Sequence, residues 1–289
     1  MKDSIDSLAK ILSSGKPVTV LTGAGISLSS GLPVYRDNQG NWAHTKPVEG
    51  PAFRKDHLTR QRYWCRSYVG WPTFAAAQPN AAHREIAALE HDGPFSTVIT
   101  QNVDNLHQLA GSRELVSLHG RLSEVICLQC ADITPRQELQ SRLQTNNPNF
   151  QTAQFKTAPD GDAQIDDQSI RQFNPVNCRK CNGILKPDVV FFGDNVPKPR
   201  VQYSMERVLE SGALLCIGTS LMVFSGFRFC RVAKSEGIPI VIINTGVTRA
   251  DDIATLKINH HCADVLTKLR HKLHGQKYPK QETHAPRTP

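Results

Sequence analysis

Two cysteine pairs carry the sharpest chemical signal in this sequence. Cys127-Leu-Gln-Cys130 and Cys178-Arg-Lys-Cys181 each put two thiols on one tight turn, and two such turns can close a tetrahedron around Zn²⁺. Four thiolates leave no open coordination position, so the implied ion is structural and not catalytic. The segment 131–177 between the pairs exceeds a zinc-ribbon spacer and implies an insertion. A redox dithiol or disulfides would be the alternatives, but a redox C-x-x-C comes singly and opens a helix, whereas these pairs sit amid polar residues. Cys65, Cys216, Cys230 and Cys262 lie in mixed contexts, and Cys216, inside an apolar run, reads as core filler.

A second cluster involves phosphate and sugar chemistry. Gly23-Ala24-Gly25-Ile26-Ser27 directly follows the apolar run 17–22. Glycines there let backbone N–H groups approach a pyrophosphate, although a plain tight turn looks the same. A dehydrogenase fingerprint is broken by Leu28 and by the missing acidic residue about 20 positions on. Gly218-Thr219-Ser220 and Asn244-Thr245-Gly246 end two later apolar runs, where open α/β sheets bind ligands. Asn244 could hold an adenosine ribose; ordinary strand-ending turns are the alternative. Thr100-Gln101-Asn102-Val103-Asp104-Asn105-Leu106-His107 offers amides and a carboxylate to a carboxamide and sugar hydroxyls. Leu118-His119-Gly120 follows the next run, placing His119 on the same sheet edge. Imidazole titrates near 6.5 and can serve as a general base at neutral pH. A lone histidine is more often surface or packing, but this one follows a strand, precedes a glycine and stands just ahead of the first cysteine pair.

These residues need a scaffold. Apolar runs at 17–22, 96–100, 115–118, 213–218 and 238–243 alternate with helical patterns at 81–90 and 201–211, and Ile5, Leu8, Ile11 and Leu12 give an N-terminal helix. Such alternation predicts an α/β fold with a doubly wound parallel sheet. In the polar middle, Thr134 reads as a helix N-cap with Pro135 at the first position and Gln137 completing a capping box; residues 144–167 read as loop. At 289 residues with 39% hydrophobic content, the chain is globular, one large domain or two smaller. Its net charge of +8 suits an anionic ligand. No run approaches the roughly 18 apolar residues of a membrane span. The N-terminus lacks the pattern of a secretory or transit peptide, which points to a reducing cytoplasm where disulfides are disfavoured.

Taken together, Gly23–Ser27, Gly31-Leu32-Pro33-Val34-Tyr35-Arg36-Asp37, Gln101–His107, His119-Gly120, both cysteine pairs, Lys186–Asp194, Gly218–Leu221 and Asn244–Gly246 resemble the sirtuin family of NAD-dependent protein deacylases. They occur in family order over about residues 5–270. The stretch from Arg60 to Pro72 resembles the class II branch, which includes a mitochondrial lipoamidase, and the chain looks like a bacterial relative. The resemblance implies a Rossmann-like NAD-binding domain over 1–120 and 187–270, a small zinc-binding module over 121–186, and a basic, disordered tail over 271–289. It implies NAD as co-substrate and one structural Zn²⁺ on Cys127, Cys130, Cys178 and Cys181. Gly23, Ala24, Gly25, Ile26, Tyr35 and Arg36 would hold pyrophosphate and nicotinamide ribose. Gln101, Asn102 and Asp104 would position sugar and carboxamide, with Asn102 and Asp104 counted with His119 as catalytic. Gly218, Thr219, Ser220, Asn244, Thr245 and Gly246 would take phosphates and adenosine ribose, and Cys262 would touch adenine. Val189, Val190, Phe192 and Gly193 would pair with substrate backbone as an added strand.

The implied reaction removes an acyl group (acetyl, lipoyl or related) from protein lysine, giving nicotinamide and O-acyl-ADP-ribose, with His119 as base toward a ribose hydroxyl. Acylated-lysine proteins are the implied partners. Tyr63-Trp-Cys-Arg66 aligns with a Tyr-x-x-Arg pair that reads acyl carboxylates in a neighbouring class; a solvated helix face is the alternative. Two other functions compete: a mono-ADP-ribosyltransferase using the same NAD site, and a zinc-ribbon nucleic-acid binder. Against the latter, residues 131–177 carry more acidic than basic side chains.

Overall fold

Apolar runs without polar alternation form strands covered on both faces, and every residue of the strands at 18–22, 213–217 and 240–243 is buried. The computed structural model describes residues 2–42, 47–150, 165 and 167–274. Its strands are β1 (Val18–Thr22), β2 (Phe95–Thr100), β3 (Leu115–Ser117), β4 (Gly120–Cys127), β5 (Ile133–Pro135), β6 (Leu185–Val189), β7 (Ala213–Ile217), β8 (Ile240–Ile243) and β9 (Leu256–Ile258). The helices are α1 (Lys2–Leu12), α2 (Gly50–Lys55), α3 (His57–Ala76), α4 (Ala81–Asp92), α5 (Leu106–Leu109), α6 (Arg136–Asn146), α7 (Asp167–Gln172), α8 (Lys198–Leu209), α9 (Phe224–Ser235) and α10 (Cys262–His274). A 3₁₀ turn spans Ala24–Ser30.

Six strands form a parallel sheet in the order β3-β2-β1-β7-β8-β9. Counted within the sheet, this is the 3-2-1-4-5-6 arrangement of a Rossmann fold, with its switch point between β1 and β7. Strand residues alternate between the faces. Val20, Leu215 and Val241 pack under α1, α4 and α10. Leu21, Leu214 and Ile242 pack under α8 and α9, with Phe229 and the expected core filler Cys216. Each such side chain contributes roughly 1.5–3 kcal/mol through burial. β9 was not legible beforehand; three residues are too few to show a period.

The second sheet, β5-β4-β6, is antiparallel. Its core joins Val125, Cys127, Leu139, Leu143, Phe173 and Leu185 to Phe53, Tyr63, Trp64 and Tyr68. Phe53 and the first half of α3, expected in the larger unit, therefore pack with the small one, while Trp71 and Phe74 pack with Leu32, Leu106 and Leu122, and β6 carries the small unit past residue 186. The reason is aromatic: Phe53 and Tyr63 meet Phe191 at ring distances of 5.1 and 5.2 Å, and Tyr68 meets Phe173 at 5.5 Å.

The capping box is not formed. Thr134 and Pro135 belong to β5, paired with Val125 and Glu124, and α6 begins at Arg136 with no side-chain cap. Arg136 is fully buried, donating to Ser67 O and Oγ and to Gln140 and lying over the Trp64 and Trp71 rings. The strand pairing and this arginine set the helix start. The expected loop at 144–167 is likewise shortened, because α6 runs to Asn146, where Asn147 Nδ2 donates to Leu143 O at 2.8 Å; residues 151–164 and 166 lie outside the described residues. The tail expected over 271–289 begins inside α10, which continues through His274, and residues 275–289 lie outside the description.

The two units meet at backbone level beside His119. Gly120 pairs with Val189 across β4 and β6, and Val190 N–H donates to His119 O at 2.8 Å. Gly120 has φ +84°, and a Cβ there would stand 2.0 Å from Asp188 O. We expect Gly120→Ala to destabilise by at least about 2 kcal/mol, clash adding to strain. Gly111→Ala, also at positive φ but with nothing within 4 Å, should lose only about 1 kcal/mol. Equal urea midpoints for the two variants would contradict this account.

Candidate active site

At the switch point two turns press together. Gly25 N–H donates to Gly218 O at 2.8 Å. A Cβ on Gly25 would lie 2.8 Å from that oxygen, and one on Gly218, at φ +60°, would lie 2.4 Å from Ile26 N. Only glycines allow this contact, and it lines the floor of a cavity of about 400 Å³ with backbone. Gly23, Ala24, Gly25, Tyr35, Arg36, Gln101, Asn102, Asp104, His119, Gly218, Thr219, Ser220, Asn244 and Thr245 all line it. Ile26, Gly246 and Cys262 do not. Ile26 is buried in the core beneath, Gly246 packs against Asn38, and Cys262 points its thiol at Ile243 O at 3.6 Å, its pKa pushed up to about 11 by burial.

His119 is held in one tautomer. Its Nδ1 lies 2.9 Å from Gln101 O, and a carbonyl can only accept, so Nδ1 carries the proton. Nε2 is then a bare acceptor, 2.8 Å from the Ser225 hydroxyl. Burial pushes its pKa down to about 4, helped by the charges of Arg200 and Arg228 and opposed by the Gln101 bond. At neutral pH it is an uncharged base facing the cleft.

Beside it, Asp104 Oδ2 accepts from Ser27 Oγ at 2.6 Å, and Oδ1 accepts from Leu106 N–H at 2.9 Å. Burial raises its pKa, and these donors oppose that. Asn102 Nδ2 donates to Ser27 Oγ at 3.0 Å, and His83 Nε2 lies 3.5 Å from the same hydroxyl. Asn80 N–H donates to His83 Nδ1, so His83 offers its Nε2 proton to Ser27. The Ser27 proton must then point at Asp104. Asn105, at φ 61°, turns the chain so that Asp104 faces the cleft. Behind lies His107, buried, its Nε2 2.9 Å from Thr22 Oγ1. Burial pushes His83 down to about 4 and His107 to about 3.

Val189, Val190, Phe192 and Gly193 form one lip of the cleft. Phe192 is braced by ring contacts to Tyr35 and Trp42 and accepts from Gly50 N–H at 2.9 Å. Val223, Phe224 and Ser225 at the start of α9 also line it, as does an apolar group of Tyr63, Phe74, Val103 and Leu122, of which Tyr63, Phe74 and Leu122 are buried. Tyr63 reaches the cleft, but Arg66 is not among its lining, so the cleft does not present the two as a carboxylate-reading pair. The solvated-face alternative holds for Arg62, which is exposed, while Arg60 and Arg66 are half-buried. Ser225 and Arg228 were missed from sequence; nothing in their local spacing marks them.

The four cysteines converge. Cys127, Cys130, Cys178 and Cys181 place their sulfurs all within 4.8 Å of one another, with Cys127–Cys181 at 3.4 Å and Cys130–Cys178 at 3.7 Å. Zn–S bonds of about 2.3 Å in a tetrahedron put sulfurs about 3.8 Å apart. The turns match: Ala131 N donates to Cys127 O and Asn182 N to Cys178 O, both at 3.0 Å, and Ala131 and Asn182 both have positive φ. Backbone amides, that of Cys130 first, hold the Cys127 thiol down to about 6, toward the thiolate a metal requires. The donor set fits a structural zinc ion.

The Sir2 family pattern matches residues 23–225. The chain belongs to the Sir2 family. It is 50% identical over 250 residues to an NAD-dependent protein deacetylase of Xanthomonas axonopodis pv. citri (strain 306), covering 86% of this chain and 85% of that protein. It is 43% identical over 267 residues to the bovine mitochondrial NAD-dependent protein lipoamidase sirtuin-4, covering 91% and 85%. A solved Sir2 complex with a p53 peptide and NAD+ superposes with TM-score 0.74 at 27% identity, covering 93% of this chain and 98% of that one.

Two outcomes follow for this Sir2-family chain. Stripping zinc should unfold the small unit, read as lost near-ultraviolet dichroism from Trp64 and Trp71 and lost activity; full activity and an unchanged spectrum with zinc absent would refute a structural ion. His83 and His107 resist protonation when folded but charge near 6.5 when unfolded, so stability should fall as pH drops from 6.5 toward 4, by about 1.4 kcal/mol per pH unit for each. His107→Gln should flatten the dependence of the urea midpoint on pH; an unchanged slope would contradict it.

Proposed function

We propose that this chain is an NAD-dependent protein lysine deacylase. The observation that carries the reading is the neutral, Nδ1-protonated His119, with Nε2 facing a cleft that also gathers the glycine turns, Asn102 and Asp104. Bound NAD would supply a ribose carbon made electrophilic by loss of nicotinamide. The N–H groups of Gly25 and Gly218 are spent on Gly218 O and Ile243 O, so these glycines would leave room for the phosphates, with Tyr35, Arg36, Thr219, Ser220, Asn244 and Thr245 around them. Asn102 and the Ser27-oriented Asp104 would receive the carboxamide and sugar, and Gln101 would order the ribose while holding His119. Ser225 now donates to His119 Nε2, so its hydroxyl must turn away for that nitrogen to accept a proton from a sugar hydroxyl. Val189–Gly193 would hold the substrate backbone, and water completes release of free lysine and O-acyl-ADP-ribose.

The relatives support the substrate class: one bears the name deacetylase, another lipoamidase, and solved Sir2 structures hold acetylated or propionylated peptides. The buried apolar lining favours acyl chains longer than acetyl, such as lipoyl, over a glutaryl-type chain, because Arg66 is not in the cleft lining. The cytoplasm is the compartment we assign, consistent with eight free cysteines. No helix among the described residues is long and apolar enough to cross a membrane.

His119→Ala should lower turnover by at least about 100-fold, the scale of a positioned general base, while NAD still binds by calorimetry. A near-normal rate would remove His119 from the mechanism. Mass spectrometry of products separates the competing reaction: O-acyl-ADP-ribose supports deacylation, whereas ADP-ribose covalently attached to protein would indicate transferase activity.

A further inference from the structure

Among the described residues, two arginines line the cleft. Arg36 is engaged: its guanidinium lies 3.7 Å from the Trp42 ring centroid, and Nη1 donates to Gly40 O at 3.1 Å. Arg228, one turn into α9 beyond Ser225, touches the Phe224 ring at 5.3 Å but is not held by an acceptor in the same way. Among the described residues no carboxylate pairs with it, and its Nε is buried without an acceptor. The cleft's own carboxylates are taken. Asp194 is held by Arg54 at 2.7 Å, Asp104 by Ser27 and Leu106, and Asp37 by the N–H groups of Gln39 and Asn41. A half-buried guanidinium with an unmet donor is costly unless a partner arrives.

The surroundings say which side the partner comes from. Phe224, 47% exposed at the mouth, is flanked by Arg228 and by exposed Arg231, at 5.3 and 6.0 Å from its ring. Positive charge thus continues along α9 from Arg228 in the cleft lining to exposed Arg231, beside exposed Phe224, whereas Tyr63, Phe74 and Leu122 of the lining are buried. The buried apolar lining suits an acyl tail, and the exposed start of α9 is open to the polypeptide bearing it.

We propose that Arg228 is a specificity-determining residue that binds a carboxylate side chain lying within a few residues of the acyl-lysine in the substrate polypeptide. The proposal rests on the deacylase reading above. A guanidinium pairs with a carboxylate through two parallel hydrogen bonds, and Arg231 adds to the field that draws it in.

The test uses acetyl-lysine peptides identical except for Glu, Gln or Lys on both sides of the modified residue, and a Gln-flanked succinyl-lysine peptide, with the full chain and its Arg228→Glu variant. The natural chain should favour Glu flanks over Lys flanks by about fivefold or more in kcat/KM, mainly through KM, and less so at high salt. Arg228→Glu should reverse the order. Because the readout is a reversed preference, a lower overall rate leaves it legible, and peptide affinity by fluorescence anisotropy gives the same order if turnover is too slow. Equal kcat/KM across the flanks, or an unchanged order in Arg228→Glu, overturns the proposal alone. So does an effect confined to the succinyl peptide, which would assign Arg228 to the acyl tail. Absence of nicotinamide release from every peptide overturns the deacylase reading and the proposal with it.

Discussion

The hydrogen bond from His119 Nδ1 to the carbonyl of Gln101 is the contact on which the site depends. Gln101 is itself fixed three times: its N–H donates to Thr22 O at 2.9 Å, and its side-chain amide donates to Thr22 O and to Thr219 Oγ1 at 3.1 and 3.0 Å. One residue thus joins the ends of β1 and β2 to the turn after β7 and sets the protonation of the imidazole that follows β3. Gly226 belongs to the same arrangement, because a Cβ there would meet Gln101 Oε1 at 2.4 Å. Without a side chain at 226, α9 comes close enough to bring Ser225 onto His119. Without the Gln101 carbonyl, nothing would keep the proton on Nδ1, and the nitrogen facing the cleft would no longer be a dependable acceptor.

Legibility followed the range of the forces involved. The parallel sheet was readable because β1, β7 and β8 are continuous apolar runs, and a sheet buried on both faces demands such runs. The metal centre was readable because two residues between cysteines fix local geometry whatever lies between the pairs. Partnerships formed at long sequence separation were not readable. The α3 helix joins the small unit through rings more than 100 positions away, at Phe173 and Phe191, and with residues buried on most of its faces it shows no single apolar stripe to say which core it enters. Thr134, Pro135 and Gln137 satisfied a local capping pattern, but strand pairing with β4 overrode it. Ser225 and Arg228 became site residues only because a turn and a glycine aim α9 at the cleft.

The metal centre acts on the cleft through a strand pair. β4 starts at Gly120, next to His119, and ends at Cys127, the first ligand; β6 starts four residues after Cys181 and ends at Val189 on the cleft's lip. Eight residues of strand span about 25 Å. A tetrahedral clamp on the far ends therefore fixes the register in which the near ends meet, across a bulge between Arg121 and Val125. That register decides whether Val190 N–H reaches His119 O. A closed Cys₄ site far from any substrate can thus matter to catalysis without touching it.

Charge around His119 closes the argument. Arg200 and Arg228 both disfavour the imidazolium, and burial disfavours it more strongly. A base whose pKa sits near 4 accepts a proton reluctantly; burial supplies most of that reluctance, and the neighbouring positive charges add to it. An anion bound against Arg228, which lines the cleft, offsets its share of the repulsion and raises the affinity of Nε2 for a proton. By linkage, protonation of His119 strengthens the hold on that anion equally. The basicity of His119 is therefore set first by its burial and adjusted by the charge standing beside Arg228.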